Sequence, residues 1–568
     1  MSLDLHALVR LVALSAGYWL LDVAIRRGGA DRLVAAARSR HRLFEPLVWA
    51  AALAALAAIG WEHVPHFEVA RVLTLGLLAL LIWKVVTEDI DPATGDGRTA
   101  ARLGLIAAGV GACFRPALLV VGLLLLTRPF DAWRHHAILP LRAALATAAY
   151  VVVSGLAAAL PAAALPYAPD GATLVFLVAT IHASHYASAG LAKLRLGRRW
   201  YSWVLENRID HMAANAYAWG WGRRFAWPIW HRFVRALRFG RVPLQAGALA
   251  LELLAPIALL APEAAVAACI LWSAFHLGVL ACGGFWFWDW LGADLVLALA
   301  VFALPGPVRE ATFGWPAVVA SVAFIAVFPM RNRLWGPTLL AWWETPFTQR
   351  FHWLVHGRSG RTYEVHGDFM GPHERLYAKI HACFMAPVPL ITGHLGTVWD
   401  DDHRDAVRAA GADPDRLNAV RARHGVQPRD ERLAENHLAY LRRFFGALNA
   451  GARKHVLPAP LRWLRAPGSH LYYGGDLPAY RGQEPVTGVT MRFREQYYDE
   501  EKLVTIRDEA VHTVTVDAAA ADQPCASEPL SRDVEIMLAE AFWRRRGVDY
   551  QSAEGVREGA RLEQLEAK

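Results

Sequence analysis

Apolar stretches of about 20 residues, the length that an α-helix needs to cross a bilayer, recur along the first 330 residues of this chain. Mean hydropathy over the 568 residues is +0.23, higher than soluble enzymes of this size usually reach. We therefore predict an all-α polytopic membrane domain over residues 1–330. Its nine or ten spans are expected near 6–24, 43–60, 68–87, 101–127, 141–164, 172–192, 243–262, 264–282, 288–305 and 316–330.

The first apolar stretch, HALVRLVALSAGYWLLDVAI, has neither a charged leader nor a small-residue cleavage motif, so we expect it to remain as a span. Beyond Arg331 the long apolar runs stop, and charged residues, proline and glycine become common. This change predicts a soluble C-terminal α+β domain over residues 331–568.

Sequence patterns in this second domain predict antiparallel strands together with amphipathic helices. FHWLVHGRSGRTYEVHG alternates around a glycine-containing turn, which is typical of a hairpin, and GVTMRFREQYYDEEKLVTIRDEAVHTVTV predicts several strands. Helices are predicted for GPHERLYAKIHACF, DERLAENHLAYLRRFFGAL and DVEIMLAEAFWRRRGVDY. The aromatic stretch GSHLYYGGDLPAYRG has the composition of a recognition loop, and the polar tail QSAEGVREGARLEQLEAK is expected to be loosely ordered.

Basic residues are concentrated beside the predicted spans, in loops 25–42 and 193–241, and the net charge is +8. The second loop also contains six tryptophans, a residue type enriched at lipid headgroups. We therefore expect these charges to face anionic lipid, and we expect no nucleic-acid partner. Five predicted spans separate the two loops, so the positive-inside rule does not fix the orientation unless one span re-enters. The candidate for re-entry is 101–127, because Arg115 and Pro116 interrupt it.

Neither the cysteines nor the histidines predict a metal site. The five cysteines show no spacing typical of metal ligands. One group of potential ligands lies in HGDFMGPHERLYAKIH, without compact spacing, and we interpret its members as solvated loop and helix residues. They are His366, Asp368, His373, Glu374 and His381.

The most informative stretch is HASHYASAGLAKLRLGRRW, which begins at His182 and closes a predicted span. On a helix, His182, Tyr186, Ala189 and Lys193 fall on one stripe. Small residues at 183, 187 and 190 form a second face that would let another helix approach closely. The helix is therefore predicted to pack tightly on one side and to present polar groups on another.

Lysine is rare in this chain, which has six lysines and 53 arginines. A lysine at a helix end can simply extend to the membrane surface as an anchor. An anchor in this chain would usually be arginine, which stays charged, whereas a buried lysine can lose its proton and act as a base. We therefore predict proton chemistry at Lys193, although Lys84 also lies at a helix end and has no predicted role.

Other polar residues lie within the apolar region, where they need a partner or a cavity. Glu252 and His276 are candidates for the same site, with a simple interhelical hydrogen bond as the alternative. His135 and His136, in WRHHAILP, lie at a helix entry and are typical of an interfacial position. Asp289 and Asp294 are expected to pair with loop arginines.

Three of these stretches resemble successive motifs of one family. YASAGLAKL followed by Trp200, then ALELLAPIALL, then FHLGVLACGGFWFW resemble the vitamin K-dependent gamma-carboxylase-like family with its HTTM membrane domain. The resemblance implies that Lys193 is the base that deprotonates reduced vitamin K or menaquinol, and that His136 assists oxygen chemistry. It also implies a quinol pocket formed with His182, Tyr186, Glu252 and His276.

The activity implied by the resemblance is oxygenation of a reduced quinone by O2, coupled to removal of a glutamate γ-proton and addition of CO2. The partners would be an isoprenoid quinol, the lipid bilayer and a Glu-containing protein or peptide, with no metal. Lys193 must then be neutral, so we expect Glu252 to point elsewhere or to form its own pair. The high arginine and alanine content suggests a bacterial inner-membrane protein, and we favour quinol chemistry over strict carboxylation.

Two other classes of function remain open at this stage. The first is a non-catalytic membrane scaffold or maturation factor, for which Lys193 would face the headgroups and tolerate replacement by arginine. The second is a proton-coupled transporter that uses Lys193, Glu252 and His276 as a relay. The enzyme predicts instead a closed apolar chamber beside Lys193 that opens to the lipid.

Overall fold

The computed structural model describes residues 5–26, 58–86, 99–127, 138–158, 166–331, 333–337, 341–366, 369, 383–426, 431–452, 461, 464, 470–471 and 474–517. The helices up to residue 331 are α1 (Leu5–Arg26), α2 (Phe67–Val86), α3 (Thr99–Ala112), α4 (Leu118–Thr127), α5 (Ile138–Ala157), α6 (Gly171–Arg195), α7 (Ser202–Glu206), α8 (Ile209–Ala218), α9 (Trp227–Leu253), α10 (Pro262–Gly283), α11 (Trp288–Ala303), α12 (Gly306–Thr312) and α13 (Trp315–Val327).

The later elements are three helices and most of the strands. The helices are α14 (Asp401–Ala410), α15 (Pro414–His424) and α16 (Glu431–Asn449). The strands are β1 (Phe285–Trp286), β2 (Trp343–Glu344), β3 (Phe347–Gly357), β4 (Thr362–Glu364), β5 (Thr397–Val398), β6 (His470–Leu471), β7 (Val486–Tyr498) and β8 (Leu503–Thr515).

Four of the described helices are long and apolar enough to cross a membrane, in α1, α5, α6 and α10. A fifth span arises if α12 and α13, which meet at a bend of 56°, are counted together. This number is lower than the nine or ten predicted. One predicted span is missing from this number because most of 43–60 lies outside the described residues.

Breaks in the helices explain two further differences. The predicted span 101–127 divides around Arg115 and Pro116 into α3 and α4, of 14 and 10 residues, which pack against each other. Near 243–262, α9 ends at Leu253 and a 3₁₀ turn containing Pro256 follows. Proline lacks the N–H that a continuing helix requires, so apolar composition alone overestimates the length of these helices.

Helix α6 occupies the centre of the helical part. The Asp170 side chain accepts a hydrogen bond from the backbone N–H of Thr173 at 2.9 Å and so caps its N-terminus. From Gly171 to Lys193 almost every residue is buried. The helix packs against α1, α2, α5, α7, α9, α11, α12 and α13. The polar side chains of α6 between Thr173 and Lys193 are therefore buried within the described structure.

The later part of the chain is built on an antiparallel sheet of order β4-β3-β7-β8. Strands β3 and β4 form the predicted hairpin, and the segment predicted to hold several strands forms the β7–β8 hairpin. Inward side chains of β3 and β7 pack against α16 in one core, which includes Trp353, Phe493 and Phe444. The antiparallel α+β prediction is thus confirmed, whereas most of 371–384 and the whole of 533–550 lie outside the described residues.

The helical and α+β parts interlock. The Asn215 side chain on α8 donates hydrogen bonds to the carbonyls of Thr345 at 2.9 Å and Leu395 at 2.7 Å. Strand β1, which follows α10, pairs with β6 from the late part of the chain. Trp219 donates from its indole to the Thr348 hydroxyl at 2.8 Å. The bonds from Asn215 and Trp219 fix the first residues of the α+β part against the end of α8.

Candidate functional site

Lys193 lies in the last turn of α6 and forms a buried ion pair with Glu252 near the end of α9. Lys193 is 8% exposed and Glu252 2% exposed. The Lys193 ammonium contacts one carboxylate oxygen directly, while the other oxygen, Oε2, has no hydrogen-bond partner among the described residues. The lysine and the glutamate therefore form a charge pair that is largely shielded from solvent.

The expectation that Glu252 points away from Lys193 is wrong. The physical reason is the close crossing of α6 and α9 at Gly190, as the small-residue face predicted. A Cβ at Gly190 would lie 3.1 Å from the Glu252 Cβ and 3.0 Å from Leu253 Cδ2, so a larger residue would have to push these side chains back. Gly190 and Lys193 are three residues apart and share a face of α6, which brings the carboxylate to the amine.

Aromatic rings from two directions surround the pair. The Lys193 ammonium lies 5.0 Å from the centre of the Trp203 ring on α7, within the range of a cation–π contact. Trp343 of β2 is fully buried in the same cluster, against Ala192 of α6 and Leu249 of α9. The amine thus lies where the end of a membrane-length helix meets the α+β part. Its burial does not fit the scaffold prediction that Lys193 faces lipid headgroups.

Glu344, which sequence reasoning missed, brings a second carboxylate to this region. It is 5% exposed, and its backbone N–H donates to Asn207 Oδ1 at 3.0 Å. Trp342 donates to Glu344 Oε1 at 3.0 Å, and Oε2 has no hydrogen-bond partner among the described residues. Burial raises the pKa of Glu344 to about 7, and hydrogen bonding with Asn207 and Trp342 limits that rise, with a smaller contribution from the nearby charge of Lys193. Only the position of Glu344 directly after the domain boundary could have drawn attention to it.

A second polar group lies deeper in the helical part, on the same stripe of α6. Tyr186 and His276 are hydrogen-bonded at 2.9 Å between the hydroxyl and Nε2, and both residues are buried. The Tyr186 ring stacks on Trp272 of α10 with centroids 4.5 Å apart. The predicted group of His182, Tyr186 and His276 is therefore brought together on α6 and α10, whereas Glu252 belongs to the Lys193 pair.

Asp294 on α11 completes the deeper group. Its carboxylate is fully buried near the hydroxyls of Tyr186 and Ser273, and Oδ1 lies 3.8 Å from His182 Nε2. His182 donates from Nδ1 to the Val178 carbonyl at 2.9 Å, which fixes its ring. The expectation that Asp294 pairs with a loop arginine is wrong, because the residue points into the helix bundle rather than toward a loop.

Asp289 also has a different partner from the one predicted. It forms an ion pair with Lys84 of α2 at 2.6 Å, and both residues are almost fully buried. This pairing explains the lysine that had no predicted role. A buried lysine and a buried aspartate compensate each other's charge, whereas burying either charge without the other would cost several kcal/mol of folding free energy.

Several of the predicted site residues lie in parts of the chain that the structure does not describe. His135 and His136 lie outside the described residues, as do Asp368, His373, Glu374 and His381. His366 is described and contacts the Leu477 carbonyl through Nε2 at 3.3 Å. Within the described ranges, no three His, Cys, Asp or Glu side chains are grouped so that they could hold a metal ion.

Chemically, the two groups differ in what they offer. The Lys193–Glu252 pair holds an ammonium proton beside the indole of Trp203. The deeper group combines the phenol of Tyr186, two imidazoles and the carboxyl of Asp294. These groups can donate hydrogen bonds to a polar atom of a ligand and accept hydrogen bonds from it. In comparisons with known proteins, no family model, curated protein or solved structure matches this chain.

Proposed function

We propose that this chain is a membrane-embedded acid–base enzyme that acts on a reduced isoprenoid quinone. The observation that carries the proposal is the buried Lys193–Glu252 pair at the end of a membrane-length helix. A quinol hydroxyl is a weak acid, and its deprotonation needs a base of similar strength held away from water. The amine of Lys193 is such a base once it has lost its own proton.

The ion pair changes how the base must work. While Lys193 is charged and paired with Glu252, it cannot accept a proton from a substrate. Burial removes hydration from both ions of the pair, and their mutual attraction has to offset that cost. We infer that Lys193 becomes reactive only when its proton is transferred to another group. Glu252 then holds the amine in position beside the substrate.

The surroundings support an aromatic substrate with polar groups on its ring. Indole faces lie beside Lys193 and beside Tyr186, and they suit a flat quinol ring. The Tyr186–His276 pair provides a hydrogen-bonding group two turns along α6 from Lys193. A lipid-soluble quinol fits a site built on helices that are long enough to cross a membrane.

Following the resemblance noted above, we further propose that quinol oxygenation by O2 is coupled to carboxylation of glutamate in a protein or peptide. CO2 and O2 are then co-substrates, and the α+β part is the place where a peptide would bind. This step is separable from the first, because oxidised quinone can form without any carboxylated product.

The test is turnover of chemically reduced menaquinone or vitamin K by the purified full chain in nanodiscs, with labelled CO2 and a Glu-containing peptide. Lys193→Arg keeps the positive charge but removes the ability to become a neutral base. We expect it to lower quinol consumption by roughly 100-fold or more, as does Lys193→Ala. The matched control is Lys502→Arg, the same change at an exposed hairpin residue, which should have no effect.

Each result has a definite meaning. Quinone product without labelled peptide would keep the quinol chemistry and reject the carboxylase step. Full activity of Lys193→Arg would reject the base and favour a non-catalytic scaffold.

Proton-coupled transport is a second candidate, because two polar pairs, Tyr186–His276 and Lys193–Glu252, follow each other along α6. It predicts proton flux in proteoliposomes that is lost in His276→Ala. Such flux without quinol turnover would favour the transporter over the enzyme.

A further inference from the structure

Lys193 needs a group that takes its proton, and the described structure offers it little direct contact with water. Counting side-chain atoms alone, Lys193 is 10% exposed and its direct partner Glu252 is 3% exposed. Glu252 can hold the proton but is the more deeply buried of the two nearby carboxylates, at 2% exposure against 5% for Glu344. A proton that leaves this region therefore has to pass through another side chain.

Glu344 is the second residue of β2, the strand of the α+β part that lies nearest to the Lys193 site. Trp343, its neighbour in β2, is packed between the ends of α6 and α9. The same indole contacts Arg404 of α14, whose guanidinium lies 4.2 Å from the ring centre. Arg404 in turn pairs with Glu206, whose side chain is 43% exposed, and with Asp405, whose side chain is 56% exposed. Trp343 of β2 therefore contacts both the cluster beside Lys193 and a residue of the charged surface.

The contacts of Glu344 leave one oxygen available. Its backbone N–H and carbonyl are held by Asn207 and by Arg408, the latter at 3.0 Å, and Oε1 accepts from Trp342. Oε2 is buried and has no hydrogen-bond partner among the described residues. The ionisable groups that face Glu344 from the surrounding helices are Lys193 of α6, His211 of α8, Cys282 of α10 and Arg408 of α14.

We propose that Glu344 is the proton acceptor for Lys193 and the outlet of the site toward the surface formed by α14 and Glu206. This inference rests on the proposed quinol chemistry. In the step, an N–H bond of the Lys193 ammonium breaks and an O–H bond forms on Glu344. The amine becomes neutral, the carboxylate becomes a neutral carboxyl, and no electrons move. Glu344 then returns the proton to water, and its pKa of about 7 suits repeated exchange near neutral pH.

The activity test compares Glu344→Gln with wild type in the full chain in nanodiscs, using reduced menaquinone. We expect quinol consumption at pH 7 to fall by roughly 100-fold, and the rise in rate centred near pH 7 to disappear. Added imidazole, a small proton carrier, should restore part of the rate. Glu310→Gln, the same change at an exposed residue of α12, should behave as wild type.

A second measurement needs no quinol. Infrared difference spectra recorded across pH should show a carboxyl C=O band that titrates near pH 7 and is absent in Glu344→Gln. In Lys193→Met the midpoint of that band should move to higher pH, because the positive charge that lowers it is gone. An unchanged midpoint would show that the two groups are not coupled and would overturn the proposal.

The outcomes separate the relay from the proposed function. If Lys193→Ala abolishes quinol turnover while Glu344→Gln keeps the wild-type rate and pH profile, the relay is wrong and the quinol chemistry stands. Loss of activity in Glu344→Gln without rescue by imidazole would show a structural role and also overturn the relay. If Lys193→Ala retains turnover, the proposed function itself is wrong.

Discussion

At the residue scale, the two buried lysines of the helical part serve different purposes. Lys84 and its partner Asp289 are almost completely enclosed by helices, at 1% and 0% exposure. Lys193 is also paired with an acid and, like Lys84, lies in the last turn of its helix, but it lies near a third ionisable group, Glu344. A sealed pair can only fix the packing of its helices, whereas a pair with a neighbouring acceptor can also exchange a proton.

Removing one member of the sealed pair should destabilise the protein strongly. Lys84→Met leaves Asp289 as a buried charge without compensation, so we expect a loss of about 3–5 kcal/mol in the free energy of unfolding. The measurement is denaturant unfolding in detergent. The double change Lys84→Met with Asp289→Leu removes both charges and should recover most of the stability. If the single variant is as stable as wild type, the pair is not buried as described.

The Glu344 carboxyl should make stability depend on pH. Its pKa is about 7 in the folded protein against an ordinary value of 4.5, so the unfolded chain loses this proton first. Stability therefore falls as pH rises from 4.5 to 7, by up to about 3 kcal/mol, and the loss is complete above that range. Thermal unfolding of wild type and Glu344→Gln between pH 5 and 8.5 checks this. Parallel curves for the two proteins would contradict the prediction.

At the element scale, a single helix crossing determines the composition of the candidate site. Helices α6 and α9 approach closely at Gly190, which brings Glu252 to Lys193. Elsewhere on α9, a Cβ added at Gly247 would meet no neighbouring atom within 4 Å. Glycine therefore allows close helix packing at position 190, whereas at position 247 it borders open space.

The two glycines allow a matched comparison. Gly247→Ala should stabilise the protein by up to about 1 kcal/mol, because alanine is the better helix former and meets nothing. Gly190→Ala should instead destabilise it by about 1–3 kcal/mol, because the new methyl group presses on Glu252. Quinol turnover should fall only in the Gly190 variant. Equal effects on stability at the two positions would show that the crossing is looser than described.

At the scale of the whole molecule, the predicted boundary near residue 331 marks a change of composition but not a separation of cores. Leu395 and Tyr498 from the α+β part share a cluster with Met212 and Trp230 from the helical part. Asn215 bonds two carbonyls on the other side of the boundary. Changes in one part should therefore be transmitted to the other.

Asn215→Ala tests this coupling. It removes the donor for two buried carbonyls, so we expect a loss of about 1–3 kcal/mol. Because those carbonyls belong to residues next to β2 and its partner strand β5, quinol turnover should fall as well, although Asn215 is not part of the ion pair. Thermal unfolding and turnover are measured on the same sample. A drop in stability with unchanged turnover would show that the junction does not position the site.

The sequence by itself determined the features that depend on local periodicity. Apolar runs predicted membrane-length helices, alternation predicted the antiparallel strands, and the small-residue face of α6 predicted the close approach of another helix. The predicted separation of a polar side from a close-packed side does not hold at Lys193, which shares the face of Gly190. Fewer membrane-length helices are found among the described residues than were predicted, in part because hydropathy is insensitive to helix breaks such as the one at Pro116. Lys193, Tyr186 and His276 could be singled out because polar residues are rare in apolar segments.

Only the tertiary structure decided which partner each polar group has. Glu252 is 59 positions from Lys193 along the chain, and Glu344 lies in another part of the molecule. Their approach depends on which helix faces meet and how closely, and those choices are made by packing over the whole bundle. The periodicity of the sequence determines on which face of a helix a side chain lies. The charged residue that lies opposite that side chain is determined by how the helices pack in the fold.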